Sequence, residues 1–182
     1  ELTHLNIRLV NSVEIYPKHH LAGEKGIALL VAQNAVCRAV IALQGAHVIS
    51  FAPTEKDDFL WLSPRSFLKQ NTPIRGGIPL CLPWFGAQEG SALMHGFARI
   101  KEWVLASAKI APCGGFLLSF SLKSDETIDH AFPHPFVFTL EILASTHLKM
   151  RLKVENKGNN PAQLAAAFHT YFAIPELKNV SI

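Results

Sequence analysis

The sequence predicts an all-β protein of antiparallel strands in a sandwich or barrel, and three observations carry this prediction. Apolar and polar residues alternate with period two in several stretches, no stretch keeps a helical period, and turn-forming residues separate the stretches at short intervals. Hydrophobic residues make up 49% and charged residues 17% of the 182 residues, against about 25% charged in average globular proteins. This composition supplies a sizeable core and excludes disorder as the dominant state.

Strands are expected at eight places along the chain. Apolar runs or alternating stretches of strand length occupy residues 27–31, 36–43, 47–51, 103–110, 116–122, 136–142, 148–154 and 163–171. In the clearest stretch, Leu148, Met150 and Leu152 alternate with charged residues, which is typical of a strand with one face in solvent. Turn chemistry at Gly114-Gly115 and at 157–161 borders two of these stretches.

Residues 63–101 interrupt this pattern, because they contain no clean strand. The segment is rich in proline and aromatic residues, so we expect it to be ordered. Several of its basic side chains would suit part of a ligand pocket: Arg65, Lys69, Arg75, His95 and Arg99. An equally good interpretation is an ordered crossover that covers a sheet end, with the arginines bonding to backbone carbonyls.

Composition and local pattern exclude several partners. The net charge of +3 is small and evenly spread, so nucleic acid is not an expected partner. Apolar runs stop well short of the roughly 18 residues that a membrane helix needs, and the first residues do not resemble a signal peptide. We therefore expect no membrane association and a cytoplasmic location.

Cysteines and histidines give no metal or disulfide pattern. Cys37, Cys81 and Cys113 are odd in number and widely spaced, which fits a reducing compartment. His130 and His134 have the spacing of a helical metal pair, but the prolines between and after them forbid a helix. We expect no metal site.

Five short motifs occur in a recognisable order. They are Gln-Gly-Ala-His at 44–47, Ile-Arg-Gly-Gly-Ile-Pro at 74–79, Pro-Trp-Phe-Gly at 83–86, His-Gly-Phe-Ala-Arg at 95–99 and Phe-His-Thr-Tyr-Phe at 168–172. This series resembles the glucose-6-phosphate 1-epimerase branch of the aldose 1-epimerase family. The resemblance implies a galactose-mutarotase-like supersandwich of antiparallel strands. It also implies interconversion of the α and β anomers of a 6-phosphorylated hexose, without a metal or organic cofactor.

The resemblance assigns catalytic roles to two histidines. Mutarotation needs a general base on the C1 hydroxyl and a general acid that protonates the ring oxygen O5 as the C1–O5 bond opens. His169 matches the acid by its place in Phe-His-Thr-Tyr-Phe, and His95 matches a second active-site histidine that steadies the developing charge. The structural alternatives are a core histidine bonded to a carbonyl for His169 and a turn-capping histidine for His95.

A phosphate dianion requires fixed positive donors, and the planar guanidinium group of arginine suits it. Arg75 is the first candidate, because the two glycines after it let backbone amides approach the same anion. Arg99 is the second candidate, with Lys69 and Arg65 as helpers. Arg75 could instead serve a structural bond within its loop.

Four further residues belong to the candidate pocket or its support. Trp84 and Phe85 could supply the apolar face on which a sugar ring lies, or they could pack the loop. Gln44 is expected to support the pocket near the start of a strand. His47, in the same motif, is expected to be structural.

The family's general base is a glutamate well after the Phe-His-Thr-Tyr-Phe motif, so we expect it beyond Ile182. Together with the strand-like residues 180–182, this predicts that the 182 residues are the N-terminal portion of one mutarotase domain that lacks its closing strands. Such a portion would be inactive by itself and would self-associate through exposed sheet edges. The alternative function is a non-catalytic carbohydrate-binding or regulatory sandwich module that uses the same residues.

Overall fold

The computed structural model describes residues 2–124, 131–176, 178, 180 and 181. These residues contain the strands β1 (Ile7–Asn11), β2 (Ala28–Gln33), β3 (Cys37–Ala42), β4 (His47–Pro53), β5 (Leu80–Cys81), β6 (Val104–Ile110), β7 (Phe116–Lys123), β8 (Phe136–Ala144), β9 (Leu148–Asn156) and β10 (Ala167–Phe168). The helical elements bounded within these residues are α1 (Ser12–Ile15) and two 3-10 turns (Thr3–Leu5 and Pro17–His19). The prediction of an all-β protein is confirmed.

The strands form two four-stranded sheets and one small sheet. Strands β1 to β4 pair antiparallel in sequence order, and β6 to β9 do the same. The two-residue strands β5 and β10 form the third sheet. Each large sheet is a meander, because antiparallel neighbours can be joined by short turns.

The two large sheets share one apolar core. Leu30 and Ile41 of the first sheet and Phe120 and Phe138 of the second are fully buried in the same cluster. Burying one such side chain stabilises the fold by roughly 1.5–3 kcal/mol. The arrangement is therefore a sandwich whose inner faces supply the core.

The first sheet is also covered on its outer face. Leu29, Val40 and Ile49 form a second apolar cluster with Leu68 and Ile74. The first part of the 63–101 segment thus covers the outer face of the sheet, whereas the crossover interpretation expected it to cover a sheet end. Burial on both faces also explains why every residue of β4 is buried, without alternation.

Seven of the eight predicted strands are confirmed, with ends that move by at most two residues. The prediction for 163–171 is largely wrong, because only β10 forms there. Its partner segment contains Pro79 and Pro83, which have no N–H group to return a ladder bond. The amide of His169 therefore donates to the Pro79 carbonyl at 3.0 Å without a reciprocal bond.

Some elements do not follow from the sequence pattern. Strand β1 has only one buried residue, Ile7, and β5 exists through its pairing with β10 inside the 63–101 segment. Val180 and Ser181, expected to be strand-like, lie outside any strand, and Ile182 and His130 lie outside the described residues.

An apolar groove of about 430 Å³ opens beside the main core. Its lining includes Phe59, Ile78, Leu148, Phe168 and Phe172. The expected self-association through exposed sheet edges stays a prediction. No helix among the described residues is both long and apolar enough to cross a bilayer.

Candidate active site

His169 is positioned by a segment that runs antiparallel to residues 77–83. Besides the His169–Pro79 bond, the amide of Tyr171 donates to the Gly77 carbonyl at 2.9 Å. Side chains alternate along extended backbone, so His169 and Tyr171 share one face, with ring centroids 5.0 Å apart. His169 is half-buried. It was expected to lie on a strand, but it is the first residue after the end of β10.

His95 is fixed by two hydrogen bonds to one glycine. The His95 amide donates to the Gly86 carbonyl at 2.7 Å, and the Gly86 amide donates to His95 Nδ1 at 3.0 Å. These bonds hold His95 at a φ of 61°, a left-handed conformation that costs a residue with a side chain about 1–3 kcal/mol. Because Nδ1 accepts, the proton of the neutral imidazole is on Nε2, which can donate to a ligand oxygen.

The residue after His95 has to be glycine. Gly96 has a φ of 72°, and a Cβ atom there would lie 2.0 Å from the Leu82 carbonyl oxygen. This close contact places the 95–99 motif against the 79–83 segment. The same segment accepts the hydrogen bond from the His169 amide, at the Pro79 carbonyl. This is how two motifs far apart in the sequence meet.

Four rings meet at this point, and we call them the ring cluster: Phe85, His95, His169 and Tyr171. The His95 and His169 centroids are 6.1 Å apart. Phe85 contacts both, at 4.7 Å from His95 and 6.2 Å from His169, and its side chain is half-exposed. The two predicted catalytic histidines are therefore close enough to contact the same small ligand.

Burial and neighbouring groups favour the neutral form of His95. Burial is the main cause that lowers the pKa of His95 from its ordinary value, followed by the interactions with Arg99 and with His169. At neutral pH the His95 ring is thus a neutral hydrogen-bond donor through Nε2, the state that suits stabilisation of a developing negative charge.

Arg99 lies beside the ring cluster. One terminal nitrogen donates to the Met94 carbonyl, so the structural alternative of a carbonyl bond is realised for part of this side chain. Its Nε atom is buried and has no hydrogen-bond partner among the described residues. A buried N–H group left unpaired is costly, and a ligand acceptor would relieve that cost.

Arg75 supplies a second positive charge near Arg99. Its side chain is exposed. The pKa of Arg99 is lowered mainly by burial, and the positive charge of Arg75 acts in the same direction. In the part of the chain that the structure describes, neither arginine forms an ion pair with a carboxylate. Two mutually repelling guanidinium groups without a counter-ion favour the binding of an anion.

The other predicted contacts are engaged elsewhere. The Lys69 ammonium group pairs with Glu24 at 3.0 Å. The Gln44 amide nitrogen donates to the carbonyls of Lys69 and Thr72, and its oxygen accepts from the Asn71 amide, so Gln44 braces the loop before Arg75. Trp84 is buried. The direct substrate contacts predicted for these residues remain predictions.

A sequence profile described as aldose 1-epimerase matches residues 28–182. This chain belongs to the aldose 1-epimerase family. A curated relative from Salmonella typhimurium, provisionally named glucose-6-phosphate 1-epimerase, is 35% identical over 156 residues, which are 85% of this chain and 51% of the relative. The chain spans about half the length of the curated relatives it matches.

Solved structures of the family agree with the fold. A crystal structure from Salmonella typhimurium, provisionally described as a mutarotase, matches with a TM-score of 0.67 and 34% identity, over 71% of this chain and 44% of that chain. A protein from Synechocystis sp. PCC 6803 matches with a TM-score of 0.72 and 20% identity, over 84% of this chain and 56% of its own, which shows the fold alone. The galactose-mutarotase-like fold implied by the sequence motifs is confirmed.

Sequence reasoning gave no role to two residues of this candidate site. Tyr171 stands two positions after His169, and the period of an extended segment would have placed it on the same face. Cys81 is buried, and burial raises the pKa of its thiol, while the nearby positive charge of Arg99 acts in the opposite direction. The hydrophobic surroundings of Cys81 give no signal that separates it from an ordinary core cysteine.

The described residues offer no obvious place for a metal ion. No three histidine, cysteine, aspartate or glutamate side chains among them are close enough to hold one. Cys37, Cys81 and Cys113 are free thiols, the first two buried and the third exposed.

His47 behaves as the structural residue that its motif suggested. It is buried, and its Nε2–H group donates to the Gly76 carbonyl at 2.7 Å. Burial lowers the pKa of His47 to about 4, with the charge of Arg99 acting in the same direction and the Gly76 bond opposing it.

This pKa shift predicts a loss of stability in acid. In the unfolded chain a histidine binds a proton below about pH 6.5, whereas folded His47 resists protonation until about pH 4. Stability therefore falls as the pH drops from 6.5 toward 4, by about 2 kcal/mol at pH 5. Urea unfolding at pH 7 and pH 5 should show a smaller pH-dependent loss in His47→Gln than in the wild type, and equal losses would contradict the assignment.

Proposed function

We propose that the protein containing this chain interconverts the α and β anomers of a 6-phosphorylated hexose such as glucose 6-phosphate. The single observation that carries the proposal is that the His95–His169 ring pair lies near Arg99, whose buried Nε–H group has no hydrogen-bond partner among the described residues. The names of the relatives, each given provisionally as glucose-6-phosphate 1-epimerase, support the same substrate class.

The two histidines take different roles in the proposal. His169 delivers a proton to the ring oxygen O5 while the C1–O5 bond breaks and the electron pair moves to O5. His95 is neutral and donates a hydrogen bond from Nε2 to the oxygen on which charge develops. Rotation about C1–C2 and the reverse proton transfers then close the ring on the other face.

Phe85 and the arginines orient the substrate. The exposed Phe85 ring lies against both histidines and offers an apolar surface to the C–H face of a sugar. Arg75 and Arg99 bind the phosphate dianion, whose charge offsets the repulsion between the two guanidinium groups. Binding the phosphate far from C1 fixes the ring for reaction.

The remaining proton transfer needs a base on the C1 hydroxyl. No carboxylate of the described residues pairs with either histidine of the ring cluster. The proposal keeps the glutamate beyond Ile182 that the sequence resemblance assigns to this role. It also keeps a cytoplasmic location, because three free thiols suit a reducing compartment.

The full-length protein should accelerate the exchange between the α and β signals of glucose 6-phosphate in an NMR magnetisation-transfer experiment. The phosphorus signal, recorded in the same sample, should shift as the ligand binds. A phosphorus shift without faster anomer exchange would contradict the enzyme function and favour a non-catalytic carbohydrate-binding module. If the protein caused neither faster anomer exchange nor a phosphorus shift, both functions would be contradicted.

A further inference from the structure

The Arg75-Gly76-Gly77 loop, which we call the anion loop, is fixed by backbone bonds on one side. The Arg75 amide donates to the Ser66 hydroxyl at 2.9 Å, and its carbonyl accepts from the Ser63 amide at 2.9 Å. The Gly77 amide donates to the Trp61 carbonyl at 2.8 Å. These bonds leave the Gly76 carbonyl to a partner from another element.

That partner is His47, from the first residue of β4. Its Nε2–H group donates to the Gly76 carbonyl at 2.7 Å, and its side chain is 1% exposed. Gly77 presses against the same element, since a Cβ atom there would lie 2.8 Å from His47 Nε2 and 2.3 Å from the Val48 carbonyl oxygen. The anion loop is thus clamped between β4 and residues 61–63.

We propose that His47 is a positioning residue, whose hydrogen bond to Gly76 holds the anion loop in the conformation that places Arg75 beside Arg99. The inference rests on the proposed function for the identity of the ligand, a hexose 6-phosphate. Its structural part, the ordering of the anion loop by His47, stands without that ligand.

Histidine suits this position for a physical reason. The Gly76 carbonyl can only accept, so Nε2 donates, and a neutral ring provides that donor without placing another charge near Arg99. A lysine or arginine would add a third positive charge, and an aliphatic residue would leave a buried carbonyl unpaired.

The test compares two variants of His47 in the full-length protein. His47→Leu removes the donor and keeps apolar bulk, whereas His47→Gln retains an amide N–H group of similar reach. We expect His47→Leu to weaken glucose 6-phosphate binding about tenfold, with kcat and the binding of free glucose nearly unchanged. His47→Gln should bind glucose 6-phosphate with nearly the wild-type affinity. If His47 only filled space, the two variants would not differ in this way.

Amide hydrogen exchange provides a readout that does not depend on the ligand. In His47→Leu the Gly77 amide should exchange about tenfold faster, while amides of the central strand β8 keep their protection. Unchanged Gly77 exchange, or equal losses in the two variants, would overturn the proposal. If His47→Leu does not fold, His47→Asn replaces it, because its shorter amide does not reach Gly76. A wild-type protein that binds no glucose 6-phosphate would contradict the proposed function, while Gly77 exchange still decides the role of His47.

Discussion

Replacing His169 with glutamine in the full-length protein is expected to slow the exchange of glucose 6-phosphate anomers by about 10³-fold. Glutamine can still donate a hydrogen bond to O5, but it cannot transfer a proton to it. The backbone bond from residue 169 to Pro79 does not depend on the side chain, so the fold should persist. Magnetisation transfer measures the rate, and thermal unfolding checks the fold.

Two further variants sharpen this result. His4, an exposed histidine in the first 3-10 turn, is the matched control, and His4→Gln should leave the rate unchanged. His95→Gln should cost less than His169→Gln, because a glutamine amide can imitate the neutral donor that His95 provides. A loss below about tenfold for His169→Gln would remove His169 from the proton transfer.

The sequence predicts the regular part of this fold because alternation reports burial directly. Along β8 the side chains of Phe136, Phe138, Leu140 and Ile142 alternate with less buried neighbours, so the period and the core face follow from the residue types. The same reasoning fails at 163–171. Whether that segment becomes a strand depends on its partner segment, where prolines interrupt the ladder of hydrogen bonds. The residues of 163–171 themselves carry no information about those prolines.

The candidate site shows a similar division. The motifs identify His95 and His169, but only the contact of Gly96 with Leu82 explains how they meet. Trp84 and Phe85 are adjacent aromatic residues with the same alternatives in sequence. In the structure the Trp84 ring is buried in the core, and its N–H group donates to the Leu93 carbonyl. Phe85 is half-exposed and packs against the histidines. Residue type does not decide which of two neighbours faces a ligand.

Replacing Arg75 with alanine should weaken the binding of glucose 6-phosphate about 10²-fold, because a charged donor to the phosphate is lost. Free glucose has no group for Arg75 to recognise, so its affinity should change less than about threefold. Dissociation constants for the two sugars can be measured by calorimetry on the wild type and the variant. Arg8→Ala, an exposed arginine on β1, is the matched control and should bind both sugars normally.

A lysine at position 75 separates the effect of the positive charge from the effect of the planar shape of the guanidinium group. Arg75→Lys keeps the positive charge but loses the planar fork that binds two phosphate oxygens, so its affinity should lie between those of the wild type and Arg75→Ala. Added salt should narrow the difference between wild type and Arg75→Ala, because the Arg75 side chain is exposed and its attraction for the dianion is screened. Equal losses for glucose and glucose 6-phosphate in Arg75→Ala would mean that the residue shapes the pocket without binding the phosphate.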